Sequence, residues 1–156
     1  MRQWASGVGI ATTEYEGVRY GLTISSFTSV SVAPPIVLIS VHKDAQPHDP
    51  ILKAKKFGVT LLSSDQRALS DRFAGRLEQE DDRFSGLETF TLNTGSPLIP
   101  GGLAVFDCEF DGTYKTETTT VMFGRVVAAR ISTRSKDELR PLLYYHQGYH
   151  QLLDDD

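Results

Sequence analysis

Apolar and polar positions alternate in short runs along most of this chain, which is the period of half-buried strands. "GVGIATTEY" and "VRYGLTISSF", separated by Glu16-Gly17, predict two strands joined by a tight turn. Pro34-Pro35 breaks the chain before "IVLISVHK", an apolar run with a polar end that predicts a buried strand. "HDPILKAKK" predicts a short helix capped by Asp49, with Pro50 at its first position and Ile51 and Leu52 inward. "FGVTLLS" is another strand. "SSDQRALSDRFAGRL" is the clearest helix: Ser64 or Asp65 caps it, Leu69 and Phe73 lie one turn apart, and Gly75 stops it. Residues 78–102 mix Gly, Pro and charge, which predicts loop and short strands. "LAVFDCEFDGTYKT" and "TTTVMFGRVVAARIS" predict a long antiparallel pair, and the broken alternation of the first predicts a bulge. "LRPLLYYHQGYHQLL" predicts a short strand, a turn and a final strand, and "MRQWASGVGIATT" the end of a short helix running into a strand.

Many strands, two or three short helices and no regular βαβ alternation predict a mainly β protein, an antiparallel barrel or sandwich. Neither a repeat nor a linker divides the chain, so one domain over residues 1–156 is expected. That length suffices for a real core. The net charge of -4 gives no global basic field to attract nucleic acid or an anionic membrane. No apolar run approaches membrane-spanning length. Cys108 stands alone, which excludes an internal disulfide and weakly favours a reducing cytoplasm. No Cys/His cluster has metal-site spacing, and no GxGxxG, GxxxxGK[ST] or GxSxG string occurs.

Four places carry candidate chemistry. "GLTISSFTSVSV" concentrates hydroxyls at Thr23, Ser25, Ser26, Thr28 and Ser29, able to bond a heteroaromatic edge or a phosphate. The competing account is a half-exposed strand with hydroxyls outward, and pattern alone favours that account. "DRFAG", Asp71 to Gly75, offers a guanidinium and turn N–H groups to a phosphate; alternatively Arg72 complements the helix dipole and Phe73 is core. A related "DRFSG" follows at Asp82. "VHK" puts His42 at a strand end, where surface placement is the commoner reading. "YYHQGYH" is either a packed closing strand or a wall for a planar ligand.

Taken in order, these strings resemble the flavin reductase-like, FMN-binding split-barrel proteins. The resemblance rests on "GLTISSFTSVSVAPPIV", "FGVTLLSSDQRALSDRFAG", "DRFSG", "TGSPLIPGGLAVFDC" and "PLLYY", which together span nearly the whole chain. It implies a Greek-key split β-barrel with two or three short helices, forming a homodimer with flavin near the interface. It implies that Tyr20, Gly21, Leu22, Thr23, Ser25 and Ser26 line the flavin ring and ribityl chain. Ser40, Val41, His42, Gln46 and Pro47 would sit near the phosphate, and Arg72, Phe73, Ala74 and Gly75 would complete the phosphate or dinucleotide end. Thr119, Tyr145 and His146 would face the nicotinamide.

The implied activity is hydride transfer from NAD(P)H to FMN, with FAD possible, for delivery to a separate monooxygenase. The cofactor then brings the reactivity and the protein the alignment, which agrees with the lack of a nucleophile motif. Thr119 stands where the family's "GDHT" string has its His, and His146 where "YRGxY" has its Arg. Two alternatives follow: a protein of the same fold that keeps FMN bound and uses another reductant, and a non-catalytic barrel that only binds.

Overall fold

The computed structural model describes residues 2–75, 82–135 and 137–152. Strands β1 (Ser6–Gly7), β2 (Gly9–Tyr15), β3 (Val18–Ile24), β4 (Thr28–Val32) and β5 (Pro35–His42) lead into helix α1 (His48–Ala54). Then come β6 (Lys56–Leu61), helix α2 (Arg67–Phe73), the long β7 (Ala104–Lys115) and β8 (Thr119–Ile131), and the short β9 (Leu143–Tyr145) and β10 (Gly148–His150). Seven strands form one antiparallel sheet in the order β3-β2-β6-β7-β8-β5-β4, and β1-β9-β10 form a second. The mainly β fold with two short helices is therefore as the sequence predicts.

Local chemistry explains the sheet's shape. Glu16 and Gly17 both take positive φ, 51° and 77°, so β2 and β3 are joined by the turn whose twist matches the strands. The register of β7 against β8 shifts between Asp107 and Cys108 and again between Phe110 and Gly112. These bulges bend the long pair so that the sheet curls. End strand β3 approaches β5, the neighbour of the other end strand β4, without a ladder between them. One side chain closes the gap: the Ser26 hydroxyl accepts from Ser40 N–H at 2.9 Å and donates to Ser40 C=O at 3.2 Å. The curled sheet thus stays open along β3.

Inside the curl, Ile39, Val41, Phe57, Val59, Cys108 and Met122 form the main core, with Ile51 of α1 plugging it. A second cluster under α2 joins Ile10, Leu62, Phe73, Phe84, Ile99 and Leu142. Burial, then the neighbouring Asp107 carboxylate, pushes the Cys108 thiol up to about 12, so it stays protonated and inert.

Three local expectations are corrected. The cap of α1 is Pro47 and not Asp49; Pro50 falls two places inside the helix, and the Asp49 carboxylate instead meets His48 Nδ1 at 2.7 Å. The clearest predicted helix begins with a 3-10 turn over Ser64–Gln66 capped by Ser63, not by Ser64 or Asp65. Ser63 N–H donates to the Gln66 side chain at 3.2 Å, the returning half of a capping box. The Ser63 hydroxyl in turn donates to the Asp65 carboxylate, which holds its pKa below the usual carboxylate range. No helix precedes β1 among the described residues. Helix α2 ends at Phe73 and Gly75 takes φ 72°, as a stop requires; the predicted continuation to Leu77 and the acidic run from Glu78 to Glu80 lie outside the described residues.

Candidate functional site

Strand β3 is the floor of the candidate site, and its alternation decides which side chains face what. Leu22 and Ile24 point into the barrel core. Gly21 and Thr23 point the other way, towards α2. The Thr23 hydroxyl donates to Ser70 C=O at 2.6 Å, pinning the helix to the strand. Gly21 is required for space: a Cβ there would stand 2.6 Å from Phe73 Cε1 and 3.1 Å from Phe84 Cζ. Phe73 and Phe84 pack edge to face, with ring centroids 5.0 Å apart, directly beneath it.

Arg83 clamps this junction. Its Nη1 donates to Gly21 C=O at 3.0 Å and to Phe73 C=O at 2.8 Å, tying β3 to the end of α2. Arg83 comes from "DRFSG", the string to which the sequence reading gave no role. Arg72, from "DRFAG", donates through Nη2 to Ser85 C=O instead. The two strings therefore brace each other.

Three cavities follow β3 from end to end. The first, about 290 Å³, is lined by Tyr20, Gly21 and Gln46 with Arg19 and Arg83. The second, about 190 Å³, is lined by Thr23, Ser25 and Ala74 with Ser70, Tyr144 and Tyr149. The third, about 630 Å³, is lined by Ser25, Ser26 and His146 with Trp4, Phe27 and Tyr144. Ser25 and Tyr144 belong to both of the last two, so these adjoin. The first cavity sets Asp82, Tyr20 and Phe84 beside its two guanidinium groups, hydroxyls and two tyrosines line the second, and Arg2 joins the aromatic rings of the third, so charged and aromatic groups meet at both ends of the series. That lining suits an elongated ligand carrying both anionic and planar groups.

The other expected site residues divide by environment. Val41 and Phe73 are buried in the two cores, and Pro47 is buried at the head of α1. Their side chains serve packing. Ser40 is held by Ser26. His42 is exposed, with Nδ1 accepting from Asp44 N–H at 3.2 Å. Thr119 lies opposite His42 in the β5–β8 register, on the larger sheet. Tyr145 and His146 lie on the smaller sheet and its turn, where His146 and Gln147 take φ 49° and 63°. The structure thus groups Thr119 with His42 rather than with His146. Arg72 and Gly75 are not among the residues lining the three cavities.

Sequence reading passed over Arg83, Trp4 and His48. The duplicated "DRF" string is a signal for the first, and the single tryptophan near the start a signal for the second. His48 carries no pattern of its own, yet it is buried and its Nε2 meets Thr120 Oγ1 at 2.8 Å, tying α1 to β8 beside Thr119.

A curled, open antiparallel sheet with polar and aromatic cavities along β3 has the chemistry to take a flat, phosphate-bearing ligand. The sequence pattern of the flavin reductase like domain matches residues 1–153. The chain belongs to that family. It is 33% identical over 153 residues to the FMN reductase (NADH) RutF of Pantoea ananatis, covering 98% of this chain and 78% of that one. It is 33% identical over 148 residues to the NADH-dependent flavin reductase StyB of Pseudomonas fluorescens, covering 94% and 83%. Among solved structures, the flavin reductase PheA2 superposes with a TM-score of 0.87 at 35% identity, covering 97% of this chain and 93% of that one.

Proposed function

We propose that this chain is an NAD(P)H-dependent flavin reductase that takes FMN as its preferred flavin, accepts FAD, and supplies reduced flavin to a separate monooxygenase. The observation that carries this is the row of cavities along β3, lined by guanidinium groups, hydroxyls and aromatic rings. Flavin bound there would accept a hydride from the nicotinamide, the two-electron chemistry that no side chain of this protein supplies. The protein's part is to bind and orient. Arg19, Gln46 and the Tyr20–Gly21 main chain would hold the anionic end. Thr23, Ser25 and Ser26 would border the ring, with fixed hydroxyls and N–H groups nearby to favour developing negative charge. Tyr144 and His146 would face the nicotinamide.

The monooxygenase partner is supported by relatives such as HsaB, named a reductase subunit of a flavin-dependent monooxygenase, from Rhodococcus jostii. A cytoplasmic setting agrees with the lone thiol, and no helix among the described residues is long and apolar enough to cross a membrane. The test is NADH and NADPH oxidation followed by absorbance with FMN, FAD or riboflavin present. We expect turnover with FMN and at least one nucleotide. No oxidation with any pairing would refute the reading.

A second reading, in which FMN stays bound and another reductant serves, is favoured by Thr119 and His146 at their motif positions. Yellow colour surviving gel filtration, together with negligible NAD(P)H oxidation, would establish it over the first.

Homodimer formation is part of the proposal. Edge strand β4 leaves the apolar side chains of Val30 and Val32 47% and 88% exposed at an unpaired strand edge, which a partner subunit would cover. Sedimentation should give twice the chain mass, and the double change Val30→Lys, Val32→Lys should shift it to the monomer. A monomeric parent protein at micromolar concentration would contradict this.

A further inference from the structure

The largest of the three cavities has an outer wall that neither the family motifs nor the hydroxyl block accounts for: the segment Arg2 to Trp4. Two bonds hold that segment across the cavity from the β9–β10 turn. His146 N–H donates to Arg2 C=O at 3.1 Å, and the Tyr145 hydroxyl donates to the Gln3 side chain at 2.9 Å. Trp4 is thereby fixed at the mouth with 70% of its surface exposed. A tryptophan spends that much apolar area in water at a cost, and an aromatic face at a cavity mouth is the chemistry that a planar ring buries.

We infer that Trp4 stacks on the adenine ring of the pyridine nucleotide and that the adjacent Arg2 guanidinium meets its pyrophosphate. The inference rests on the reductase reading above. The side of the cavity at Ser25 and Tyr144 borders the neighbouring cavity along β3 and so takes the reacting nicotinamide. The mouth is left for the other end of the dinucleotide. Tyr145 is a positioning residue here: it acts on the nucleotide through Gln3 and the segment that carries the indole.

Trp4 is the chain's one tryptophan, so its fluorescence reports the site directly. ADP-ribose carries the adenine and pyrophosphate, lacks nicotinamide, and does not absorb where indole emits. Titrated into the wild-type protein, it should quench Trp4 saturably. Kinetically, Trp4→Ala should raise KM for NADH about ten-fold, the scale of losing one base–aromatic stack, with kcat and the KM for FMN unchanged. Trp4→Phe should restore most of the affinity. Reduced nicotinamide mononucleotide, which has no adenine, should show the same KM with wild type and Trp4→Ala. Tyr145→Phe should raise KM for NADH by a smaller factor and broaden the Trp4 emission response.

Absence of quenching by ADP-ribose, or a KM for NADH within two-fold of wild type in Trp4→Ala, would overturn the inference while leaving the reductase reading intact. A rise in the KM for FMN instead would place Trp4 against the flavin and overturn it too. Failure of wild type to oxidise NADH at all would remove the reductase reading itself, and the ADP-ribose titration separates the two failures.

Discussion

Gly21→Val should lower the melting temperature by roughly 6–12 °C and abolish measurable flavin binding. The strand backbone at this position is ordinary, so the effect comes from space alone. A Cβ would stand 2.6 Å and 2.8 Å from Phe73 Cε1 and Cδ1. Those are ring atoms of a side chain that is 1% exposed, and it cannot swing away without displacing Phe84, which packs edge-on against it. Overpacking of this kind costs about 3 kcal/mol, and for a chain of this size each kcal/mol moves the midpoint by about 2–4 °C. The functional loss follows from the same geometry. Pushing α2 off β3 breaks the Thr23 bond to Ser70 and the Arg83 clamp, and these shape the second and the first of the cavities along β3. Thermal melts and FMN fluorescence titrations measure both effects. Pairing Gly21→Ala with Phe73→Leu should recover much of the loss that Gly21→Ala causes alone. A melting temperature for Gly21→Val within about 2 °C of wild type would show that the packing beneath β3 is loose and the argument wrong.

The hydroxyl-rich block shows what a sequence does and does not make visible. Thr23, Ser25, Ser26, Thr28 and Ser29 present one pattern, yet they have three fates. Thr23 and Ser26 spend their hydroxyls on Ser70 and Ser40. Ser25 faces the cavities. Thr28 and Ser29 lie on an exposed edge strand, as the solvated account of the pattern expects, although Thr28 also lines the third cavity. Period-2 alternation says which residues share a face, and says nothing of what the face meets. Elements whose order is set locally were legible: the Glu16-Gly17 hairpin, the long β7–β8 pair with its bulges, the stop at Gly75. Caps were less so: Pro47 heads α1 with no side-chain cap bond, and the Ser63-x-x-Gln66 capping box sits one place before the cap that the pattern suggested. The choice between Arg72 and Arg83 lay beyond sequence. The two "DRF" strings are alike, and only the placement of each against β3 decides which guanidinium reaches it.

That choice yields the sharpest test of the site. Arg83→Ala should weaken FMN and riboflavin binding by the same factor, about ten-fold or more, and should destabilise the protein by roughly 2–3 kcal/mol. Arg83 Nη1 satisfies two main-chain carbonyls, Gly21 C=O and Phe73 C=O, on different elements. Its other nitrogen, Nη2, lies 3.2 Å from where a Cβ on Gly75 would be, so the guanidinium is wedged against the end of α2. Bonds from a charged donor are worth roughly 1.5–3 kcal/mol each when buried, less at this partly buried position, and removal leaves two acceptors to find water. A tenfold change in binding corresponds to about 1.4 kcal/mol, well within what a shifted strand floor would cost a ligand. The comparison of two flavins separates clamp from ligand contact. Riboflavin lacks the phosphate, so a clamp weakens both flavins alike, whereas a phosphate contact weakens FMN alone. Arg72→Ala, which removes a bond to the Ser85 carbonyl in the neighbouring turn rather than to β3, should have a smaller effect on stability than Arg83→Ala. If Arg83→Ala left riboflavin binding untouched while FMN binding fell, Arg83 would be a phosphate ligand, and the junction of β3 with α2 would have to be held by Gly21, Thr23 and the two phenylalanines alone.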